Sequence, residues 1–279
     1  MARTIRVAHS PDSDDAFMFY ALAENLIDTG DIEFIHELQD IETLNRRALK
    51  GELEVTAVSI HAYSYIADKY ALLPHGASMG EGYGPRVVAG DPLQPADLRG
   101  RRIAIPGEMT SAYLALRMYM PEFEAVTVPF DEIIPFVAAG NADAGLIIHE
   151  GQLTFGDAGL HLIVDLGEWW AGETGGLPLP LGGNVIRRDL GDDLIRRVSR
   201  LLRASIAYGL EHRTPALAHA MQYGRDLNES QTDEFVGMYV NQRTLDYGED
   251  GRRSVQLFLD RGFEEGLIRN RVQVDFVQG

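Results

Sequence analysis

The sequence predicts an α/β protein. Strand-like and helix-like patterns alternate, in two series, over the first two thirds of the chain. At 279 residues it is long enough for one large or two modest domains. Two clusters of glycine and proline, around residues 76–85 and 175–183, interrupt the alternation.

The first series opens with an apolar strand at Ile5–Ser10. Asp14 or Asp15 then caps a helix that carries Phe17, Tyr20, Ala21 and Leu22. Ile32–Leu38 is a second strand, followed by a helix at Ile41–Lys50 that Gly51 closes. Val55–Ser59 is a third strand, and a helix runs through Tyr63, Ile66 and Ala67. A βαβαβα run of this kind implies a largely parallel sheet. Gly76, Gly80, Gly82, Gly84 and Pro85 then mark a flexible or tightly turned segment.

The second series places strands near 87–89, 102–105, 125–128, 144–148 and 162–164, with helices starting near Thr110 and Asp131. After the second breaker cluster only a short strand, Asn184–Ile186, is expected, and the remainder is helical. Residues 48–55 and 137–144 echo one another: helix, glycine stop, two residues, acid, strand. An ordinary glycine-capped corner produces that pattern. So do two similar lobes, the second inserted in the first, with ligand in the cleft between them. The echo alone leaves both open.

Composition narrows the function. Apolar residues make up 45% and charged residues 24%, ordinary globular usage. Lys and Arg number 25 against 42 Asp and Glu, a net charge of −17, which argues against nucleic acid or an anionic membrane as partner. A local cradle of backbone amides still suits an anionic ligand. The absence of cysteine excludes disulfides, thiolate zinc sites and a cysteine nucleophile. Met1–Val7 leads straight into a strand, and no run approaches 18 apolar residues. A cytoplasmic protein is therefore expected.

Five places carry residue types suited to chemistry. The strand at 144–148 ends at His149, and strand ends are where open α/β sheets deliver ionisable groups to a cleft; a satisfied buried histidine fits the pattern as well. Glu150 follows it directly, and the two need not face the same way. Thr110 and Ser111 stand where a strand enters a helix, the place for an anion or for routine capping. The loop is no P-loop, because the lysine is missing. Ser10, Asp12, Asp14 and Asp15 follow the first strand and serve either a ligand or the helix start. Ser59 ends the third strand; without a Gly-x-Ser-x-Gly setting it is a ligand hydrogen-bonder rather than a nucleophile. Trp169 and Trp170 are available to stack on an aromatic ligand or to pack. The eight histidines lack metal-binding spacing.

Taken in order, these segments resemble the 1,4-dihydroxy-6-naphthoate synthase family of the futalosine route to menaquinone. The stations are Ser10-Pro11…Asp15…Phe17, the run Asp40-Ile41-Glu42-Thr43-Leu44-Asn45, Ser59, and the Gly80…Gly84-Pro85 crossing. Further on stand Pro106-Gly107…Thr110-Ser111-Ala112 and Gly145-Leu146-Ile147-Ile148-His149-Glu150. The last are Asp165-Leu166-Gly167…Trp169-Trp170 and Leu177-Pro178-Leu179-Pro180-Leu181-Gly182. No single station is specific; the ordered set is.

The resemblance implies a two-lobed, periplasmic-binding-protein-like (type II) fold, each lobe a mostly parallel sheet flanked by helices. Lobe 1 would be residues 1–86 plus 183–279, lobe 2 residues 87–182, with the ligand between them. It implies a carbon–carbon lyase acting on cyclic dehypoxanthine futalosine, with an anionic or aromatic small molecule as partner and without cofactor or metal. His149 matches the family's general base. Thr110 and Ser111 match its residues near the ligand's polar groups, and Ser10, Asp14, Asp15 and Ser59 are further candidates for binding substrate. The first turn departs from the family's Ser-Pro-Cys-Pro-Asn-Asp-Thr-Phe: here it is Ser10-Pro11-Asp12-Ser13-Asp14-Asp15-Ala16-Phe17. An amide becomes the acid Asp14, and an ionised carboxylate accepts but does not donate, so hydrogen bonding to the ligand must change there.

Two other functions fit the same fold: a non-catalytic solute-binding protein of a transport system, and the sister family of chorismate dehydratases, whose first-strand pattern differs. The helical tail, with Phe235, Met238, Tyr239, Leu257 and Phe258, is free to pack on the first lobe or on a second chain as a homodimer.

Overall fold

The computed structural model describes residues 3–224 and 227–278. Met1 and Ala2, the start of the N-terminal segment read above, lie outside the described residues. The strands are β1 Arg3–His9, β2 Ile32–Leu38, β3 Val55–Ser59, β4 Tyr70–Leu72, β5 Ser78–Gly80, β6 Arg86–Ala89, β7 Arg102–Ile105, β8 Glu124–Thr127, β9 Ala144–Ile147, β10 His161–Asp165 and β11 Leu179–Arg187. The helices are α1 Ser13–Ala23, α2 Ile41–Lys50, α3 Ile60–Tyr63, α4 Ser111–Tyr119, α5 Ile133–Ala138, α6 Gly151–Thr154, α7 Leu166–Thr174, α8 Asp192–Glu211, α9 Arg213–Ala220, α10 Glu229–Tyr239, α11 Gln242–Leu245 and α12 Gly248–Glu264.

They form two sheets. One has the order β2-β1-β3-β11-β4, with β5 paired to β11; the other has the order β10-β6-β9-β7-β8. The βα units pair in parallel, β1 with β2 and β3, and β7 with β8 and β9. The crossings do not. β11 runs antiparallel to β3, β4 and β5, and β6 runs antiparallel to β9 and β10. Both sheets are therefore mixed where the sequence suggested mostly parallel ones. The reason is connection: a strand that enters a sheet from the other sheet has no crossover helix to set it parallel.

Local chemistry explains the regular elements. β3 is buried at all five positions, as a central strand flanked on both sides should be. α2 starts at Asp40, whose carboxylate accepts from Thr43 N–H at 2.9 Å, and stops at Gly51 with φ of 71°. α8 buries Leu194, Ile195, Val198, Leu202 and Ile206, a helical stripe, against α1. α12 packs on β11. A continuous apolar cluster runs from Val58 and Leu72 of the first sheet through Phe258 and Trp170 to Val87 and Leu146 of the second.

Three expectations are corrected. The helix read through Tyr63, Ile66 and Ala67 ends at Tyr63; Ser64, Tyr65 and Ile66 donate to carbonyls three residues back, a tighter winding that turns the chain into β4. The second breaker cluster is only half a break: Gly175, with φ of 70°, stops α7, and β11 then begins at Leu179. β11 tolerates Pro180 because its pairing with β5 slips register between Pro180 and Gly182. β11 thus belongs to the first sheet from inside the 87–182 range expected for lobe 2. The tail also is not purely helical: Phe276 bridges Leu72 in parallel at the edge of the first sheet. Phe235, Tyr239 and Phe258 are buried within their own chain.

Candidate active site

The β1–α1 turn of the first sheet and the β9–α6 turn of the second face one another. His149 follows β9 with φ of 60°, a left-handed backbone uncommon for a residue with a side chain. That backbone turns the ring toward the first sheet. Its Nδ1 lies 2.6 Å from Oδ2 of Asp12, and its ring packs against Phe130 with centroids 4.4 Å apart and planes tilted by 58°. Nε2 is buried and has no hydrogen-bond partner among the described residues. Beside it, Glu150 Oε1 accepts from Ser13 N–H at 3.3 Å and from Ser13 Oγ at 3.1 Å. His149 and Glu150 both reach the same turn, which the sequence left open.

Asp15 Oδ2 accepts from the Ser10 N–H at 2.7 Å. Neither Asp14 nor Asp15 caps α1 as expected. The helix begins at Ser13; its N-cap is Asp12, two residues before Asp14, and that side chain makes no cap bond but turns to His149. Four carboxyl groups and one imidazole thus share a small volume. Burial works against charge on the His149 ring, but Asp12, Glu150 and Asp14 outweigh it and push the imidazole up to about 9. Burial holds Asp15 up, to about 6, against the Ser10 N–H that favours its ionised form. Burial, then Asp15, Asp12 and Glu150, drive Asp14 well above the usual carboxylate range. Asp14 is half-open to the cleft, its Oδ1 enclosed and without a partner among the described residues. In its neutral form a carboxyl donates as well as accepts.

The raised His149 pKa makes a stability prediction. A folded-state value near 9 against 6.5 unfolded stabilises fully below pH 6.5 and is lost as pH rises through 9. Between those pH values the wild type should lose up to about 3 kcal/mol more than His149→Asn. Denaturant unfolding at pH 6.5 and 9.5 measures this, and equal losses in the two proteins would contradict the ion pair.

The opposite wall is built by α4 and β3. Thr110 caps α4, accepting from Tyr113 N–H at 3.1 Å and donating to Gly107 O at 2.8 Å. Ser111 Oγ accepts from His61 N–H at 3.1 Å and donates to Leu181 O at 2.5 Å. Both hydroxyls are committed inside the protein. What remains for a ligand is the pair of first-turn amides, Ser111 and Ala112, at the positive end of the helix. Ser59 is held by Asn45, which donates to its Oγ at 3.1 Å and accepts from its N–H at 2.9 Å.

Between these walls lies a cleft lined by residues of both sheets. Ser10, Asp14, Asp15, Ser59, Thr110, Ser111 and His149, all seven expected residues, line it together. Sequence reasoning missed Asp12 as partner of His149, and it missed Gln152, Phe235 and Tyr239, which also line the cleft. Tyr239 donates to Gln152 Oε1 at 2.9 Å, and burial pushes its phenol strongly up. A tail helix closing over the cleft leaves no mark in a pattern of periodicity. Trp170 is buried and donates to Ser254 Oγ at 3.1 Å; neither tryptophan lines the cleft. Among the described residues no three His, Asp or Glu side chains are arranged to hold a metal ion, and no helix is long and apolar enough to cross a membrane.

Two mixed α/β sheets joined by paired crossings, with a cleft between them, define the periplasmic-binding-protein-like class. The alkanesulfonate-binding protein of Xanthomonas axonopodis pv. citri, solved bound to MOPS, shares the fold at TM-score 0.72 and 15% identity, over 98% of this chain and 97% of that one. Within that class the chain belongs to the menaquinone biosynthesis family, whose model matches residues 5–264. It is 43% identical over 263 residues to the 1,4-dihydroxy-6-naphthoate synthase of Thermus thermophilus, covering 94% of this chain and 95% of that one. It is 38% identical over 276 residues to the synthase of the same name from Streptomyces coelicolor, covering 96% and 95%. A crystal structure of a protein from Archaeoglobus fulgidus, 46% identical, superposes at TM-score 0.91 over 95% of this chain and 98% of that one.

Proposed function

We propose that the chain is a carbon–carbon lyase that converts cyclic dehypoxanthine futalosine to 1,4-dihydroxy-6-naphthoate, acting in the cytoplasm without a cofactor. The two sheets are its lobes. Family membership supplies the reaction; the observation that ties this chain to it is His149 Nε2, buried and unpartnered at the wall of the cleft. In the neutral ring this nitrogen accepts a proton, and proton removal starts cleavage of the carbon–carbon bond. The amides of Ser111 and Ala112 suit the anionic end of the substrate, and Met18, Ile41 and Phe235 give an apolar bed for its aromatic part. Enclosure between the sheets keeps water from the intermediate. Incubation with cyclic dehypoxanthine futalosine, with dihydroxynaphthoate followed by mass, tests the reading. Product formation is expected; binding without product would leave a solute-binding role.

Asp14 carries a separate expectation. If its neutral carboxyl serves as a donor to the ligand, Asp14→Asn keeps kcat/KM within about tenfold near neutral pH, because the amide supplies the same donor. At high pH the variant should outperform the wild type, whose Asp14 ionises there. A loss of more than 100-fold at pH 7 would mean that the acid form has work an amide cannot do.

A further inference from the structure

Asp12 is 1% exposed, and its carboxylate lies 2.6 Å from Nδ1 of His149, a contact between turns of different sheets. A carboxylate accepts a charge-assisted hydrogen bond, so one beside Nδ1 favours the tautomer that carries its proton there. With Nδ1–H donated to Asp12, the lone pair of the neutral ring must sit on Nε2, the nitrogen without a partner. The contact also fixes ring orientation, since His149 is held by Asp12 at Nδ1 and packs against the Phe130 ring, tilted 58° to it.

We propose that Asp12 is a positioning residue of the lyase reaction, holding His149 in the tautomer that presents Nε2 to substrate and stabilising the imidazolium formed when Nε2 takes the proton. The proposal rests on the assignment of His149 as the base. In the step, one proton moves from substrate to Nε2, Nδ1–H stays donated to Asp12, and Asp12 remains ionised. The raised affinity of the ring for a proton fits this arrangement. The titratable groups that face the ring are Asp12, Asp14 and Asp15 from the β1–α1 turn and α1, and Glu150 from its own turn. All are acidic, and Asp12 lies closest.

The test is the pH dependence of kcat and kcat/KM for the wild type, Asp12→Asn, Asp12→Glu and His149→Asn, each with cyclic dehypoxanthine futalosine. In the wild type kcat/KM should climb from pH 7 toward 9 as the free ring loses its proton. In Asp12→Asn the climb should move to lower pH, kcat should fall about 10²- to 10⁴-fold, and KM should change little. Asp12→Glu, which keeps the carboxylate, should recover part of kcat and the alkaline climb. A purely structural Asp12 would lower the melting temperature and leave the position of the climb unchanged, which overturns the proposal. So does turnover lost in His149→Asn but retained in Asp12→Asn, with the base assignment standing. Turnover retained in His149→Asn removes the base assignment, and this proposal with it.

Discussion

Substitution of His149 by Asn lowers kcat by about 10³-fold or more and leaves KM within a few-fold. The amide approximates the ring's volume and polarity, and it has no nitrogen able to accept a proton. What it removes is made in the transition state: the proton on Nε2 and the imidazolium that Asp12 stabilises. Ground-state contacts are left in place, because the ligand-facing amides belong to α4 and the apolar bed to Met18, Ile41 and Phe235. The split between kcat and KM therefore separates the enzyme from a binding protein built on the same fold. A solute-binding protein would lose affinity or nothing, and would have no turnover to lose. Loss of the one cation among four carboxyl groups also strains the site. Its melting temperature should be measured at mildly acid as well as neutral pH, because Asp14 and Glu150, both raised by burial, carry less charge as pH falls. Full turnover in a folded His149→Asn protein would rule out the base.

The elements legible in the sequence are those decided locally. α2 has its aspartate cap and glycine stop within a single stretch, and β2 and β3 are unmistakable from alternation or a buried run. His149 was legible because an apolar strand ends near it. The chemistry of that histidine was not, because Asp12 lies 137 positions away and no local pattern links them. For the same reason an ordinary imidazole pKa is the natural sequence-based assumption, and the structure replaces it with a value near 9. Asp14 inverts likewise: alone it is an anion, and among three other buried acids it is driven toward the neutral form. Thr110 and Ser111 illustrate a third case. The position was legible as a ligand site or a cap; the hydroxyls cap and brace, and the wall of the cleft they stand in was not legible.

The glycines of the crossing give the second large effect. Gly167→Ala should destabilise the protein by about 3 kcal/mol, at the upper end of overpacking costs, and lower the melting temperature by roughly 6 °C or more. From sequence, the run Gly80…Gly84-Pro85 suggests a flexible or tightly turned segment. In the structure it is a place of close approach. A Cβ on Gly167 would stand 1.9 Å from the carbonyl oxygen of Tyr83 and 2.6 Å from the nitrogen of Gly84, both backbone atoms that no rotamer change can move. A Cβ on Gly80 would meet the same oxygen, again at 1.9 Å. The peptide between Tyr83 and Gly84 is therefore clasped by Gly80 of the first crossing and Gly167 at the start of α7, and Pro85, whose carbonyl accepts from Leu166 N–H at 3.0 Å, carries the clasp to the cleft wall. Gly172 lies in the same helix, with nothing within 4 Å of its Cβ direction. Alanine there should stabilise by up to about 1 kcal/mol through helix propensity alone. The pair is a controlled comparison: same helix, same substitution, opposite sign. If the two variants melt at the same temperature, the crossing is pliant and the clasp does not set the cleft wall. If Gly167→Ala melts lower and its remaining folded fraction also turns over more slowly, packing at the crossing and the position of the catalytic turns are one property of the fold.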